Sequence, residues 1–77
     1  MSDLTLQQYA VLGFCARYIE EHGRAPVLRE IAEGTGLNGT TVAWRVVQEL
    51  EDAGKLRTRA GKSRSIELLE HVPGVGQ

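Results

Sequence analysis

Residues 34 to 48 read GTGLNGTTVAWRVVQ. Three glycines precede two hydroxyl side chains, Thr40 and Thr41, and one helical turn later come Trp44, Arg45 and Gln48. A little further on, KLRTRAGKSR (residues 55 to 64) sets five cations in ten positions. Short hydroxyls permit close approach to a surface, and the forked groups of Arg45 and Gln48 match the edges of guanine and adenine. Clustered lysines and arginines suit phosphates. This is the chemistry of polar recognition, and nothing pairs a nucleophile with a base for catalysis. Cys15 is the single cysteine, so no internal disulfide can form. His22 and His71 are the other soft ligands, without the clustered spacing of a zinc site. GTGLNG follows a helical run instead of a strand, which is the wrong context for a phosphate-cradling loop. The expectation is therefore no enzyme, no metal, no cofactor and no small-molecule substrate.

The net charge of −1 argues against a generic polyanion binder, but its distribution does not. Residues 1–54 hold four arginines against eight acidic side chains, a balance of −4; residues 55–77 hold five basic against two acidic, a balance of +3. A solvated charged hairpin would account for the basic run equally well, so its setting must decide. Seventy-seven residues make one domain at most. No basic segment with a following apolar run opens the chain, and no stretch nears the roughly 18 apolar residues of a membrane span. With a lone cysteine, this points to a reducing cytoplasm, no membrane partner and, for a nucleic-acid binder, association with the nucleoid.

Four elements must hold these residues in place. LTLQQYAVLGFCARYIEEHG begins with Thr5 and Gln8 at the spacing of a capping box, flanked by Leu4 and Tyr9 at the staple positions. Tyr9, Leu12, Cys15 and Ile19 then form an apolar stripe widened by Val11, Phe14 and Tyr18, and Gly23 ends the helix. Cys15 reads as core, and Tyr9 and Tyr18 as packing. A short second helix starts at or after Pro26, shows Leu28, Ile31 and Ala32 on its apolar face, and stops at Thr35 and Gly36. A third runs from Thr40 to Ala53 with Asn38 or Gly39 as its N-cap and Gly54 as its stop. Its core positions are Ala43, Val46, Val47 and Leu50, which turns Thr40, Thr41, Trp44, Arg45 and Gln48 outward. From Lys55 the period changes from 3.6 to 2: Leu56 and Thr58, then Ile66 and Leu68, alternate with polar residues around AGKS, as in a β-hairpin. EHVPGVGQ reads as a flexible tail, so the domain spans 1–69 and the tail 70–77.

Helix, short helix, tight turn, helix and basic hairpin, in that order, predict a mainly α, three-helix winged helix-turn-helix with a small β-hairpin. In such a unit the third helix lies in the major groove of double-stranded DNA, with its N-terminal amides near a phosphate. The hairpin crosses the neighbouring backbone, where Arg57, Arg59, Lys62 and Arg64 meet phosphates. At LTLQQYAVL, APVLREIAEGTGL and AGKLRTRAGKSRSIELL the chain resembles the amino-terminal domain of LexA-type SOS repressors, over residues 4 to 69. The resemblance implies sequence-specific repression of transcription. It also implies base reading by Asn38, Gly39, Thr41, Val42, Trp44 and Arg45, and phosphate contact by Ser63 and Arg64. Two departures stand out. Val27 occupies a position that usually caps helix 2 with a hydroxyl, and TTVAWR replaces the usual asparagine and acidic residues of the reading helix. The second implies a target other than the standard SOS operator. The family's second half is a self-cleaving serine–lysine peptidase that also dimerises, and the linker to it would begin near Gln77. The chain then reads as a stand-alone regulator, such as a phage or mobile-element protein, or as an excised domain.

A second reading stays open: a protein-interaction module on the same scaffold, binding a repressor or RNA polymerase through Trp44. Trp44 can instead cover the domain's own surface beside the wing, and Arg45 can pair with Glu49 at i+4. A monomer reading one half-site would bind weakly, so a weak homodimer on DNA is a further expectation.

Overall fold

The computed structural model describes residues 4–58 and 66–69. The order is α1 (Leu6–His22), α2 (Leu28–Thr35), α3 (Thr40–Asp52), β1 (Leu56–Arg57) and β2 (Glu67–Leu68). The strands pair antiparallel, with Leu56 opposite Leu68 and Arg57 opposite Glu67. The three helices pack on one another, and β1 rests on α3. This is the three-helix α+β winged helix-turn-helix that the sequence predicts.

The Thr5 box is present. Gln8 N–H donates to Thr5 Oγ1 at 3.0 Å, and Thr5 N–H donates to Gln8 Oε1 at 2.9 Å. The buried stripe of α1 is Val11, Leu12, Cys15 and Ala16, with Phe14, Tyr18 and Ile19 at its half-buried margin. Two corrections follow. Ala16 belongs to the core, and Tyr9, expected in the stripe, is 43% exposed. Tyr9 falls just off the centre line of the stripe and lines a shallow groove with Phe14, Arg17 and Gly34 instead. Cys15 is core as expected, and burial pushes its thiol up to about 12.

Helix α2 starts without a side-chain cap at Val27, whose N–H donates instead to Glu30 Oε1 at 2.8 Å. Glu30 also accepts from the Tyr18 hydroxyl at 3.0 Å, which ties the start of α2 to α1. Thr35 is the last helical residue, its hydroxyl donating to Ile31 O, and the turn is made by Gly36 at φ 74°. Leu37 then packs against the core and its N–H donates to Ala32 O, a Schellman-like exit with the usual apolar contact beyond the cap. Gly34 lies within α2, where a Cβ would run into the ring edge of Phe14.

Helix α3 is anchored by its inward face. Ala43, Val46, Val47 and Leu50 are fully buried with Ile31 and Leu56. It ends at Asp52, one residue short of the expected Ala53, which serves as C-cap. Lys55 N–H donates to Leu50 O, so the chain enters β1 directly from the helix end.

Candidate nucleic-acid interface

Gly39 is the N-cap of α3, with φ 94° and ψ 170°. That region is almost closed to residues with a Cβ. Gly39 has no side chain, so the cap residue itself supplies no side-chain hydrogen bond to the first turn of α3. Asn38, Gly39, Thr40 and Thr41 are all exposed, and Val42 is half-buried. One turn on, Trp44 is 46% exposed, well outside the core of Leu12, Ile31 and Leu50. The inward stripe of valines and Leu50 leaves residue 44 on its flank, about 100° around the helix from Ala43.

Arg45 is exposed and pairs with Glu49, Nη1 to Oε2 at 3.0 Å. The other oxygen of Glu49 accepts from Gln8 Nε2 at 2.8 Å. The Glu49 carboxyl is held below its ordinary value of 4.5, chiefly by the Gln8 amide and, against a desolvation penalty, by Arg45. Gln48 differs from its neighbours. It is half-buried, and its Nε2 donates to Glu51 at 3.2 Å. Glu51 also accepts from the Thr58 N–H and hydroxyl, each at 3.3 Å, so this carboxylate joins α3 to the base of the hairpin.

Within the hairpin, Arg57 is exposed and pairs across the strands with Glu67 at 2.9 Å. Surface pairs of this kind contribute about 0–1 kcal/mol and open readily for a stronger partner. Arg59, Lys62, Ser63 and Arg64, as well as the tail 70–77, lie outside the described residues. The described part of the site is thus the open start of α3, its outward Trp44 and Arg45, and Arg57 on the first strand.

The LexA DNA binding domain model matches residues 1–65. The chain belongs to the LexA DNA-binding domain family. Among its relatives, the LexA repressor of Geotalea uraniireducens (strain Rf4) is 41% identical over 72 residues, covering 94% of this chain and 36% of the relative. That of Desulfatibacillum aliphaticivorans is 34% identical, covering 99% of this chain and 37% of the relative. The LexA repressor of Pelotomaculum thermopropionicum is 38% identical, covering 94% and 36%. The chain spans little more than a third of the length of these relatives.

Seen as a LexA-type domain, the chain carries features that the sequence alone left out. The i+4 pair of Arg45 and Glu49 was legible from spacing, but Gln8 reaches Glu49 across 41 positions of sequence. No local signal announces that contact. Glu51 likewise reads as one more acidic surface residue until the fold brings Thr58 beside it. No helix among the described residues is long and apolar enough to cross a membrane.

Proposed function

We propose that this LexA-type domain binds double-stranded DNA sequence-specifically and represses transcription, with α3 in the major groove and the hairpin on the flanking phosphates. The observation that carries this reading is the uncapped, exposed N-terminal half of α3. Its Thr40, Thr41, Trp44 and Arg45 face away from the buried valines that fix the helix. Small residues at 39 to 41 allow the helix end to approach base edges closely. The first-turn amides, given no side-chain cap by Gly39, offer donors to a phosphate, where the helix dipole also favours negative charge. Asn38, Val42 and Arg45 flank the same surface, while Gln48 reaches it only by leaving Glu51. Arg57, Arg59, Lys62, Ser63 and Arg64 supply the phosphate contacts, and residues 1–69 act as the binding unit.

On this reading the domain works in the cytoplasm at the nucleoid, and two copies on a two-fold site bind more tightly than one. Trp44 contributes apolar contact within the groove. Fluorescence titration with random-sequence and selected duplexes tests the reading. The selected duplex should bind more tightly, and log affinity should fall with log salt by about 0.9 per phosphate contact. A flat salt response with no sequence preference would overturn it.

A further inference from the structure

We propose that Glu49 and Gln8 are positioning residues that hold the Arg45 guanidinium as a guanine-reading fork, an inference that rests on the DNA-binding reading above. The four groups form a continuous chain. Thr5 and Gln8 close the capping box of α1 at 2.9 and 3.0 Å, which fixes the Gln8 side chain by its carbonyl oxygen. The Gln8 amide nitrogen, left free by that bond, donates to Glu49 Oε1 at 2.8 Å. Glu49 Oε2 in turn accepts from Arg45 Nη1 at 3.0 Å. Each carboxylate oxygen therefore has one donor, and a donor from another helix fixes the orientation of the carboxylate.

The consequence lies at Arg45. A guanidinium has five N–H donors in a planar fork, and the bond to Glu49 engages one of them, on Nη1. The Arg45 side chain remains 56% exposed, so its other donors stay available. Guanine presents two acceptors, N7 and O6, at a spacing that such a fork meets. A free arginine must lose rotamer freedom to make that contact. Here Glu49 has already removed part of it, and Gln8 keeps Glu49 from following the guanidinium. The carboxylate also counters part of the positive charge, so Arg45 gains less from an arbitrary phosphate. The arrangement shifts Arg45 from general attraction toward base discrimination.

The test is selection from random duplex DNA followed by titration of the selected site and its single-base variants. It uses the wild type, Arg45→Ala, Glu49→Gln, Glu49→Ala, Gln8→Glu and the double variant Arg45→Ala/Glu49→Ala. Gln8→Glu keeps the acceptor for Thr5 N–H but sets a like charge against Glu49; circular dichroism melts confirm that each variant is folded. The wild type should select a G·C pair whose preference Arg45→Ala abolishes, a loss of about 5- to 150-fold. Both Glu49 variants and Gln8→Glu should reduce the preference at that same pair by about five- to tenfold, with the salt slope unchanged or steeper. The double variant should match Arg45→Ala alone. If the Glu49 and Gln8 variants leave the preference at that pair intact, or change affinity equally for every duplex, the positioning role is overturned while DNA reading stands. If the wild type selects no sequence, DNA reading itself falls and the inference with it.

Discussion

Helices α1 and α3 begin in opposite ways. At the start of α1, Thr5 and Gln8 satisfy each other's backbone groups, and the end is closed by its own side chains. At the start of α3 there is only Gly39, held at φ 94° and ψ 170°, and no side chain caps the first turn. Every helix leaves four N–H groups without internal partners. The chain answers that need locally in α1 and leaves it to the surroundings in α3. A helix whose only task is packing gains from a cap, which contributes roughly 1 kcal/mol. A helix that must present its end to another molecule gains from leaving it open. The difference teaches where stability must come from: α3 cannot draw it from its N-terminus and draws it from its buried face.

The largest effect should therefore fall on that face. Leu50 is fully buried and touches the cluster that holds α3 to α1, α2 and β1. Leu50→Ala should lower unfolding stability by about 2–5 kcal/mol in urea titration. Trp44→Ala, on the flank of the same helix, should cost clearly less stability than Leu50→Ala while weakening selected-site binding. Equal stability losses at the two positions would break the division of α3 into an anchoring and a presenting face.

Next comes the glycine cap itself. Gly39→Ala places a Cβ where the backbone conformation scarcely tolerates one, and a loss of about 1–3 kcal/mol is expected. Thr5→Ala removes only a cap, leaving the Gln8 carbonyl to Thr5 N–H, and should cost about 0.5–2 kcal/mol. The two variants also separate in their second readout. Gly39→Ala should reduce DNA affinity beyond its effect on folding, since it thickens the end that meets the groove, whereas Thr5→Ala should reach DNA only through Gln8. A Gly39→Ala variant with wild-type stability would show that the left-handed cap is no requirement of the fold.

How much of this was legible in the sequence follows the same line. Local rules sufficed wherever the partner is close along the chain: the Thr5–Gln8 box, the Cys15 burial, the Gly36 exit and the inward stripe of α3 all stand where spacing put them. The outward placement of Trp44 followed from that stripe alone. Legibility failed where three-dimensional neighbours decide. Tyr9 has the right type for the core stripe, yet Ala16 joins the buried cluster and Tyr9 stays half outside. Spacing puts Gly34 inside the second helix, but only the fold shows the Phe14 ring where its Cβ would stand. Gln48 reads as a base-edge residue by helical phase, and only the fold shows its amide turned to Glu51.

The smallest effect concerns a link between the closed helix end and the open helix face, the Glu49 carboxylate. Gln8 and Arg45 both favour its charged form, and its folded-state value lies below the ordinary 4.5. A carboxyl with a depressed folded value contributes stability that is present above its unfolded value and lost as pH falls through the folded one. The contribution should thus be complete at neutral pH and disappear as pH drops below about 4.5. Glu49→Gln lacks that titration. Paired thermal melts of the wild type and the variant between pH 7 and pH 3 should show the stability difference shrinking in the acid range. Glu49 is solvent-accessible, and salt should diminish the difference further. A gap that persists unchanged to pH 3 would mean that the carboxylate acts there by shape and not by charge, and that Arg45 is held by something other than its ion pair.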